Sequence, residues 1–268
     1  MSVNPLRISW EHNRALPLPI RLAHLIWAVW SPVHRWACTD SRRPWAPAAL
    51  YGLIAAVVLW RIDPWVMNLV TAGGTRGSLP IGGDIRRELE VLQQFGQGGM
   101  TILVVIVVWL LDPTHRRRIL DWLVAIGVAA LLAFGLKMLI GRPRPVLGEP
   151  EMVLGPFGMY PVPVDDGFVV THAWAFWRED VGKLWSMPSS HTVFAVVAAA
   201  MLAAWYPRLR ELMIAVAGLV ALARVGFGAH YPSDVAAGIA VGLIAVGLAN
   251  RWNLSGTPGR DRGVGATG

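Results

Sequence analysis

Six runs of mostly apolar residues punctuate the chain, separated by short segments rich in charged residues, proline or glycine. A helix that crosses a bilayer needs about 20 residues, and a shorter apolar run crosses when its flanks extend the helix. The longest run, residues 119–140, is the clearest crossing. The pattern therefore predicts an all-α, polytopic membrane protein with about six transmembrane helices. The predicted crossings are residues 45–60, 97–111, 119–140, 192–206, 212–227 and 235–249.

The composition supports a membrane protein and excludes several other classes. Hydrophobic residues make up 54% of the chain and charged residues 15%, whereas about 25% of a typical soluble domain is charged. The net charge of +7 is spread over short loops and forms no single basic stripe, so we expect no nucleic-acid partner. Cys38 is the only cysteine, which excludes an internal disulfide and a cysteine-based metal cage.

The positions of the arginines predict the orientation in the membrane. Because arginines of short loops stay in the cytoplasm, residues 1–43 are expected to be cytoplasmic and interfacial, with a helix over 22–36 and no cleavable signal peptide. Alternation then places the loop 141–187 outside and returns the tail, 251–268, to the cytoplasm as a disordered segment. Residues 44–250 form the expected membrane domain. The arginines before the first crossing are Arg7, Arg14, Arg21, Arg35, Arg42 and Arg43.

The segment between the first and second crossings carries two further predictions. Glycines between residues 73 and 83 indicate a flexible linker. Residues 84–90, with mixed charges and an aspartate at a helix-capping position, predict a surface helix that leads into the second crossing.

Residues 223–234, ARVGFGAHYPSD, combine an arginine, a histidine and an aspartate at suggestive spacing. If the chain is helical from Tyr231 onward, His230 and Asp234 share one face, and the carboxylate holds one ring nitrogen while leaving the other free. That arrangement suits a nucleophile or a general base, although a purely structural hydrogen bond is the alternative. Arg224 adds a fixed cation, which suits a phosphate or carboxylate ligand.

Two upstream stretches extend this pattern at the outer ends of predicted crossings. Lys137 precedes Arg144 in KMLIGRPRP, and Pro188-Ser189-Ser190-His191 opens the fourth crossing. In order and spacing the three stretches resemble the signature of the type 2 phosphatidic acid phosphatase (PAP2) and vanadium haloperoxidase superfamily: K-x6-R-P, P-S-G-H and S-R-x5-H-x3-D. Ser190 replaces the glycine of that signature and Ala223 replaces its first serine, so no ionisable group is lost.

The resemblance implies a role for each residue. His230, oriented by Asp234, would attack phosphorus and form a phosphohistidine, while His191 would protonate the leaving oxygen and then activate water. Charge arguments independently favour a phosphate site, because a transferring phosphoryl group needs fixed donors around its oxygens. The expected phosphate-binding residues are Lys137, Arg144, Ser189, Ser190 and Arg224.

Neither a metal nor another cofactor is expected at this site. His191, His230 and Asp234 would make an acceptable ligand set for zinc. Three cations directed at the same place would, however, repel a divalent ion and attract an anion.

The expected activity is hydrolysis of a lipid phosphate or diphosphate in the outer leaflet, at the extracytoplasmic edge of the cell (inner) membrane. Undecaprenyl diphosphate, phosphatidylglycerophosphate and phosphatidate all fit, because the motifs read only the phosphate. Three alternatives stay open: a transporter or channel, since charges in membrane segments often line a path; a vanadate-binding haloperoxidase; and an inactive lipid-binding relative. Oligomeric state is equally open.

Overall fold

The computed structural model describes residues 45–72 and 83–256, and this part of the chain is mainly helical, as predicted. Short 3-10 turns connect several of its helices, at Gln93–Gly96, Arg116–Arg118, Pro145–Leu147, Glu179–Leu184 and Pro207–Leu209. The α-helices of the described residues are α1 (Ala46–Trp60), α2 (Asp63–Ala72), α3 (Gly83–Leu92), α4 (Gly98–Leu111), α5 (Ile119–Ile140), α6 (Ser190–Trp205), α7 (Arg210–Gly226) and α8 (Pro232–Trp252).

Two stretches are long and apolar enough to cross a membrane as single helices: Arg116–Leu147, which contains α5, and Pro232–Trp252, which is α8. The helix pairs α1–α2 and α3–α4 are bent by 72° and 70°, and up to four spans result if each pair is one broken span. Helix α6 is apolar but shorter. The described residues therefore contain two to four candidate spans by length and composition, and the count of six stays a prediction.

Each bend coincides with residues that interrupt a helix. Pro64 stands at the second position of α2, where its missing N–H and fixed φ favour the start of a new helix over the continuation of α1. Gly96, Gly98 and Gly99 surround the second bend, where the low helix propensity of glycine makes a break inexpensive. Both bends bring polar residues into the protein, as described below.

Helix α6 lies at the centre of the bundle, with most of its residues buried among those of α5, α7 and α8. Two glycines of α8 allow its close approach to α6. A Cβ atom at Gly238 would lie 2.9 Å from the carbonyl oxygen of Ser189, and one at Gly242 would lie 2.8 Å from that of Val193. Small residues at such contacts let backbones pack directly, and this contact sets the N-terminus of α8 beside that of α6.

The segment between α5 and α6 contains a feature that the all-α prediction lacks. Strand β1 (Tyr160–Val164) pairs antiparallel with β2 (Gly167–Thr171), with Tyr160 opposite Thr171 and Val164 opposite Gly167. The sequence YPVPV conceals the strand, because proline removes a ladder donor and disfavours strands. A two-stranded ribbon consists only of edge strands, in which proline is tolerated.

Several predictions fall outside the described residues: the cytoplasmic segment up to residue 43 with its interfacial helix over 22–36, the linker over 73–82, and the tail from residue 257. The described beginning of the tail, residues 251–256, is tied to the bundle. Helix α8 continues to Trp252, and the Ser255 amide donates a hydrogen bond to Asp121 Oδ1 at 3.1 Å.

Candidate active site

The three sequence stretches meet where α5 and α7 end and where α6 and α8 begin. The side chains of Lys137, Arg144 and Arg224 are close enough for their charges to act on the ring of His191, and those of Lys137 and Arg144 also act on His230. The structure thus gathers the cations and both histidines predicted from sequence at one end of the bundle.

Lys137 lies in the last turn of α5, where it is 3% exposed and its Nζ donates a hydrogen bond to the carbonyl of Trp185 at 2.6 Å. The helix ends at Gly141, which adopts φ +59°. A Cβ atom at Gly141 would lie 2.3 Å from the carbonyl oxygen of Gly155. Only glycine therefore allows both the left-handed turn and the close contact that follow Lys137.

Arg144 follows this turn on the external loop. Its amide donates to the carbonyl of Lys183 at 2.8 Å, while its buried Nε makes no hydrogen bond within the described residues. An arginine stays protonated in a protein, so it offers an unused N–H donor to an anion.

Ser189, Ser190 and His191 form the start of α6. Ser189 precedes the helix and is fully buried; its Oγ accepts a hydrogen bond from Thr192 Oγ1 at 3.1 Å. Ser190 and His191 are half-buried and occupy the first two helical positions. The first amides of a helix lack intrahelical acceptors and carry the positive end of its dipole, so this terminus favours an anion.

Arg224 lies in the last turn of α7, where it is 9% exposed. Its Nη1 donates to Gln93 Oε1 at 2.7 Å. Its backbone carbonyl accepts hydrogen bonds from the amides of Ala229 and His230, each at 3.1 Å. Arg224 therefore contributes a cation through its side chain and fixes the turn that presents His230 through its backbone.

His230 and Asp234 lie together, but not within one helix as expected. Helix α8 begins at Pro232, and Asp234 folds back so that its Oδ2 accepts a hydrogen bond from the Tyr231 amide at 2.9 Å. The same oxygen lies 3.5 Å from His230 Nδ1, within ion-pair range but too far for a hydrogen bond. Because Asp234 faces Nδ1, Nε2 is the nitrogen left for a substrate.

His230 is 1% exposed, and burial lowers its pKa to about 3, although Asp234 opposes the shift. A neutral imidazole is therefore the resting form of His230 at physiological pH. Neutrality leaves one ring nitrogen with a free electron pair, as attack on phosphorus requires.

The sequence reasoning missed a buried network behind Asp234. The guanidinium of Arg142 donates from Nη1 to Asp234 Oδ1 at 2.7 Å and from Nη2 to Asp63 Oδ2 at 2.7 Å. It also lies between two aromatic rings, 3.8 Å from the Trp60 centroid and 4.1 Å from that of Tyr231. Arg142, Asp63 and Asp234 are each 0% exposed.

Signals for this network exist in the sequence. Arg142 is the first arginine of GRPRP. The arginine of the K-x6-R-P signature corresponds to Arg144, so Arg142 falls on an unspecified position of that signature. Asp63 and Pro64 follow the first apolar run, and an acidic residue before proline is typical of a helix start. The sequence does not reveal the 72° bend between α1 and α2, which directs Asp63 into the protein interior.

The bend between α3 and α4 forms a second unpredicted part of the site. The surface helix predicted over 84–90 is present as α3, but the turn after it is packed against two of the predicted site residues. Gln93 accepts the hydrogen bond from Arg224, and a Cβ atom at Gly96 would lie 2.2 Å from the carbonyl oxygen of His191. The turn Gln93–Gly96 thus braces both residues.

Two further features concern ligands. Among residues 45–72 and 83–256, no group of three or more histidine, cysteine, aspartate and glutamate side chains is arranged to hold a metal ion.

A groove of about 440 Å³ lies between α1 and the external loop, next to Trp60. Its lining residues are Ala56, Val57, Trp60, Arg61, Glu151 and Met187.

Comparison with known proteins identifies relatives of this arrangement. A family model described as the PAP2 superfamily matches residues 118–255. A transmembrane PAP2-type phosphatidylglycerolphosphate phosphatase from Bacillus subtilis is similar in structure, with a TM-score of 0.51 and 19% identity over 76% of this chain and 93% of that chain. LpxE from Aquifex aeolicus has a TM-score of 0.49 and 18% identity over 70% of this chain and 93% of its own. No curated protein matches by sequence.

Proposed function

The chain belongs to the PAP2 superfamily, and from that premise we propose that it is a membrane phosphatase that hydrolyses a lipid phosphate or diphosphate through a phosphohistidine on His230. The observation that carries the proposal is the set of three cations beside two histidines. Within the described residues, none of Lys137, Arg144 and Arg224 forms an ion pair with a carboxylate. Buried cations without carboxylate partners favour a bound anion.

The proposed mechanism gives each of these residues a role. Nε2 of His230 attacks phosphorus, the bond from phosphorus to the leaving-group oxygen breaks, and its electron pair leaves with that oxygen. This oxygen takes a proton from the imidazolium form of His191, whose ring becomes neutral. His191 then removes a proton from water, the resulting hydroxide attacks phosphorus, and the phosphorus–nitrogen bond breaks. Inorganic phosphate leaves and His230 is neutral again. Lys137, Arg144 and Arg224 offset the charge on the phosphoryl oxygens throughout.

The lipid part of the substrate requires an apolar surface beside the phosphate site. The groove next to Trp60 provides one, since Ala56, Val57 and Met187 supply apolar walls. Met187 immediately precedes Pro188 and Ser189, so the groove adjoins the phosphate-binding stretch. The arginine pattern supports a site at the outer leaflet, with both termini in the cytoplasm.

The test is phosphate release by detergent-purified protein in EDTA from undecaprenyl diphosphate, phosphatidylglycerophosphate and phosphatidate. We expect release from one of these lipids, inhibition by vanadate, and loss of activity in His230→Ala. His115→Ala is the matched control, because His115 lies at the other end of the bundle against Trp205 and should keep its activity. Full activity in His230→Ala, or a requirement for added magnesium, would contradict the proposal.

A further inference from the structure

We propose that Asp63 and Arg142 are positioning residues that hold Asp234 in place for His230, so that the network behind the site takes part in setting the rate of the reaction. The inference rests on the proposed function, and it concerns residues outside the three signature stretches.

Both carboxylate oxygens of Asp234 have contacts that fix their positions. Its Oδ2 faces His230 and also accepts hydrogen bonds from the Tyr231 amide and from Ser186 Oγ. Its Oδ1 is held by the Arg142 guanidinium at 2.7 Å. A carboxylate rotates about one bond, so the contact at Oδ1 acts together with the two hydrogen bonds at Oδ2 to fix where Oδ2 lies relative to the His230 ring.

Arg142 is itself fixed in two ways. Its plane is set by the rings of Trp60 and Tyr231 on its two faces. Rotation within that plane is set by the opposite ends of the fork, because Nη1 contacts Asp234 and Nη2 contacts Asp63. A planar fork held at both ends is more rigid than a single contact, so Asp63 acts on Asp234 through Arg142.

Asp63 also ties the start of α8 to the start of α2. Its Oδ1 accepts the Ser233 amide at 3.1 Å, and its Oδ2 accepts the hydroxyl of the same serine. Ser233 directly precedes Asp234 in the chain. Asp63, at the bend between α1 and α2, is therefore connected to the carboxylate of Asp234 in two ways: through the Arg142 guanidinium and through the backbone of Ser233.

Asp63 and Arg142 make no side-chain hydrogen bond, within the described residues, to the cations that are proposed to bind phosphate. The side chains of Lys137 and Arg224 donate instead to Trp185 and Gln93. Changing the network should therefore alter the rate of attack without altering the affinity for the phosphate group.

The deciding variant is Asp63→Asn, which keeps the shape of the side chain and removes its charge. We expect kcat on the lipid phosphate to fall on the order of 10- to 100-fold, the loss typical of a small displacement at a reacting group, while KM stays unchanged. Arg142→Lys, which keeps the charge but not the fork, should also lower kcat. Asp121→Asn is the matched control, since Asp121 is a buried carboxylate with two hydrogen bonds from Ser255 at the other end of α5.

A measurement without substrate separates this inference from the proposed function. In protein labelled with ¹⁵N-histidine, the His230 resonances, assigned by their absence in His230→Gln, should show a single tautomer with the proton on Nδ1. Asp63→Asn should give a mixture of tautomers, and Asp121→Asn should match the unmodified protein. If the unmodified protein hydrolyses no lipid phosphate, the proposed function fails, and the tautomers still decide the positioning role.

Two results would overturn the inference. One is an Asp63→Asn protein with unchanged tautomer and unchanged kcat. The other is an equal loss of kcat in Asp63→Asn and Asp121→Asn, which would make the network a general support of the fold.

Discussion

The two ends of the helix bundle both contain buried or half-buried charged groups, but they differ in whether those charges have partners within the protein. At the end with the candidate site, Lys137, Arg144 and Arg224 lack carboxylate partners within the described residues. At the opposite end, where α5 begins and α6 ends, Asp112 is contacted by Thr114, by His115 Nδ1 at 2.7 Å and by Tyr206 Oη at 2.7 Å.

The difference supports the proposal that only the end with the candidate site binds an anion. At the opposite end the hydrogen bonds from Thr114, His115 and Tyr206 hold the pKa of Asp112 well below its ordinary value, so the carboxylate is charged and already solvated by protein. Such a cluster connects helix ends. Its charge is already compensated by hydrogen bonds within the protein, so it does not favour binding of a further ligand. At the site end, the positive charges without carboxylate partners favour binding of an anion, as we propose.

The largest effect among these comparisons should come from Arg224→Ala. Removing one donor that acts on the charge developing in the transition state costs about 10²- to 10³-fold in kcat. Arg116→Ala is the control: Arg116 lies at the opposite end, where its Nε donates to the carbonyl of Trp109 at 2.9 Å. Steady-state rates on the same lipid phosphate should fall in the first variant only, and equal rates in both would refute the role of unmatched charge.

A smaller effect is expected from Gly96→Ala, which tests the brace formed by the second bend. The new Cβ would meet the carbonyl oxygen of His191 at 2.2 Å, so the start of α6 must move. A displacement of that kind costs up to about 10²-fold in kcat. Gly98→Ala, only two residues away, places its Cβ in open space. If the two variants had the same rate, the bend would have no influence on His191.

The smallest effect on activity is expected from Asp112→Asn, which should leave kcat unchanged and lower the melting temperature. A carboxylate whose pKa is lowered by folding stabilises the protein above its ordinary pKa of 3.8, and that stabilisation is lost as pH falls through the lowered value. The gap in melting temperature between the two proteins should therefore be constant near neutral pH and shrink below pH 3.8. A gap that stays constant in strong acid would show that the charge of Asp112 is not the cause.

The agreement between sequence and structure is closest where one physical signal dominates. The run 119–140 is apolar except for two charged residues near its ends, Asp121 and Lys137, and α5 occupies the same residues. Lys137, His191, Arg224 and His230 were found because they are ionisable residues at the ends of such runs. Their roles in catalysis remain predictions.

The residues that escaped sequence reasoning depend on contacts between distant segments. Asp63 and Gln93 enter the site only because helices bend by 72° and 70° before and after them, and no local pattern specifies which way a bend turns. In the sequence, Arg142 cannot be distinguished from the other arginines of the loops. Only the fold shows that Trp60 and Asp63 contact its guanidinium. The prolines of YPVPV prevented prediction of the hairpin, because proline disfavours a β-strand when the segment is considered without its partner strand.

The most direct test of the central claim is to trap the phosphorylated protein. Lipid phosphate labelled with ³²P is mixed with the detergent-purified protein in EDTA, the reaction is stopped in alkali, and the label is located by peptide mapping. We predict label on the peptide that contains His230, and none in His230→Ala. Rapid release of phosphate with label on another residue, or with no labelled protein at any time, would contradict a phosphohistidine on His230.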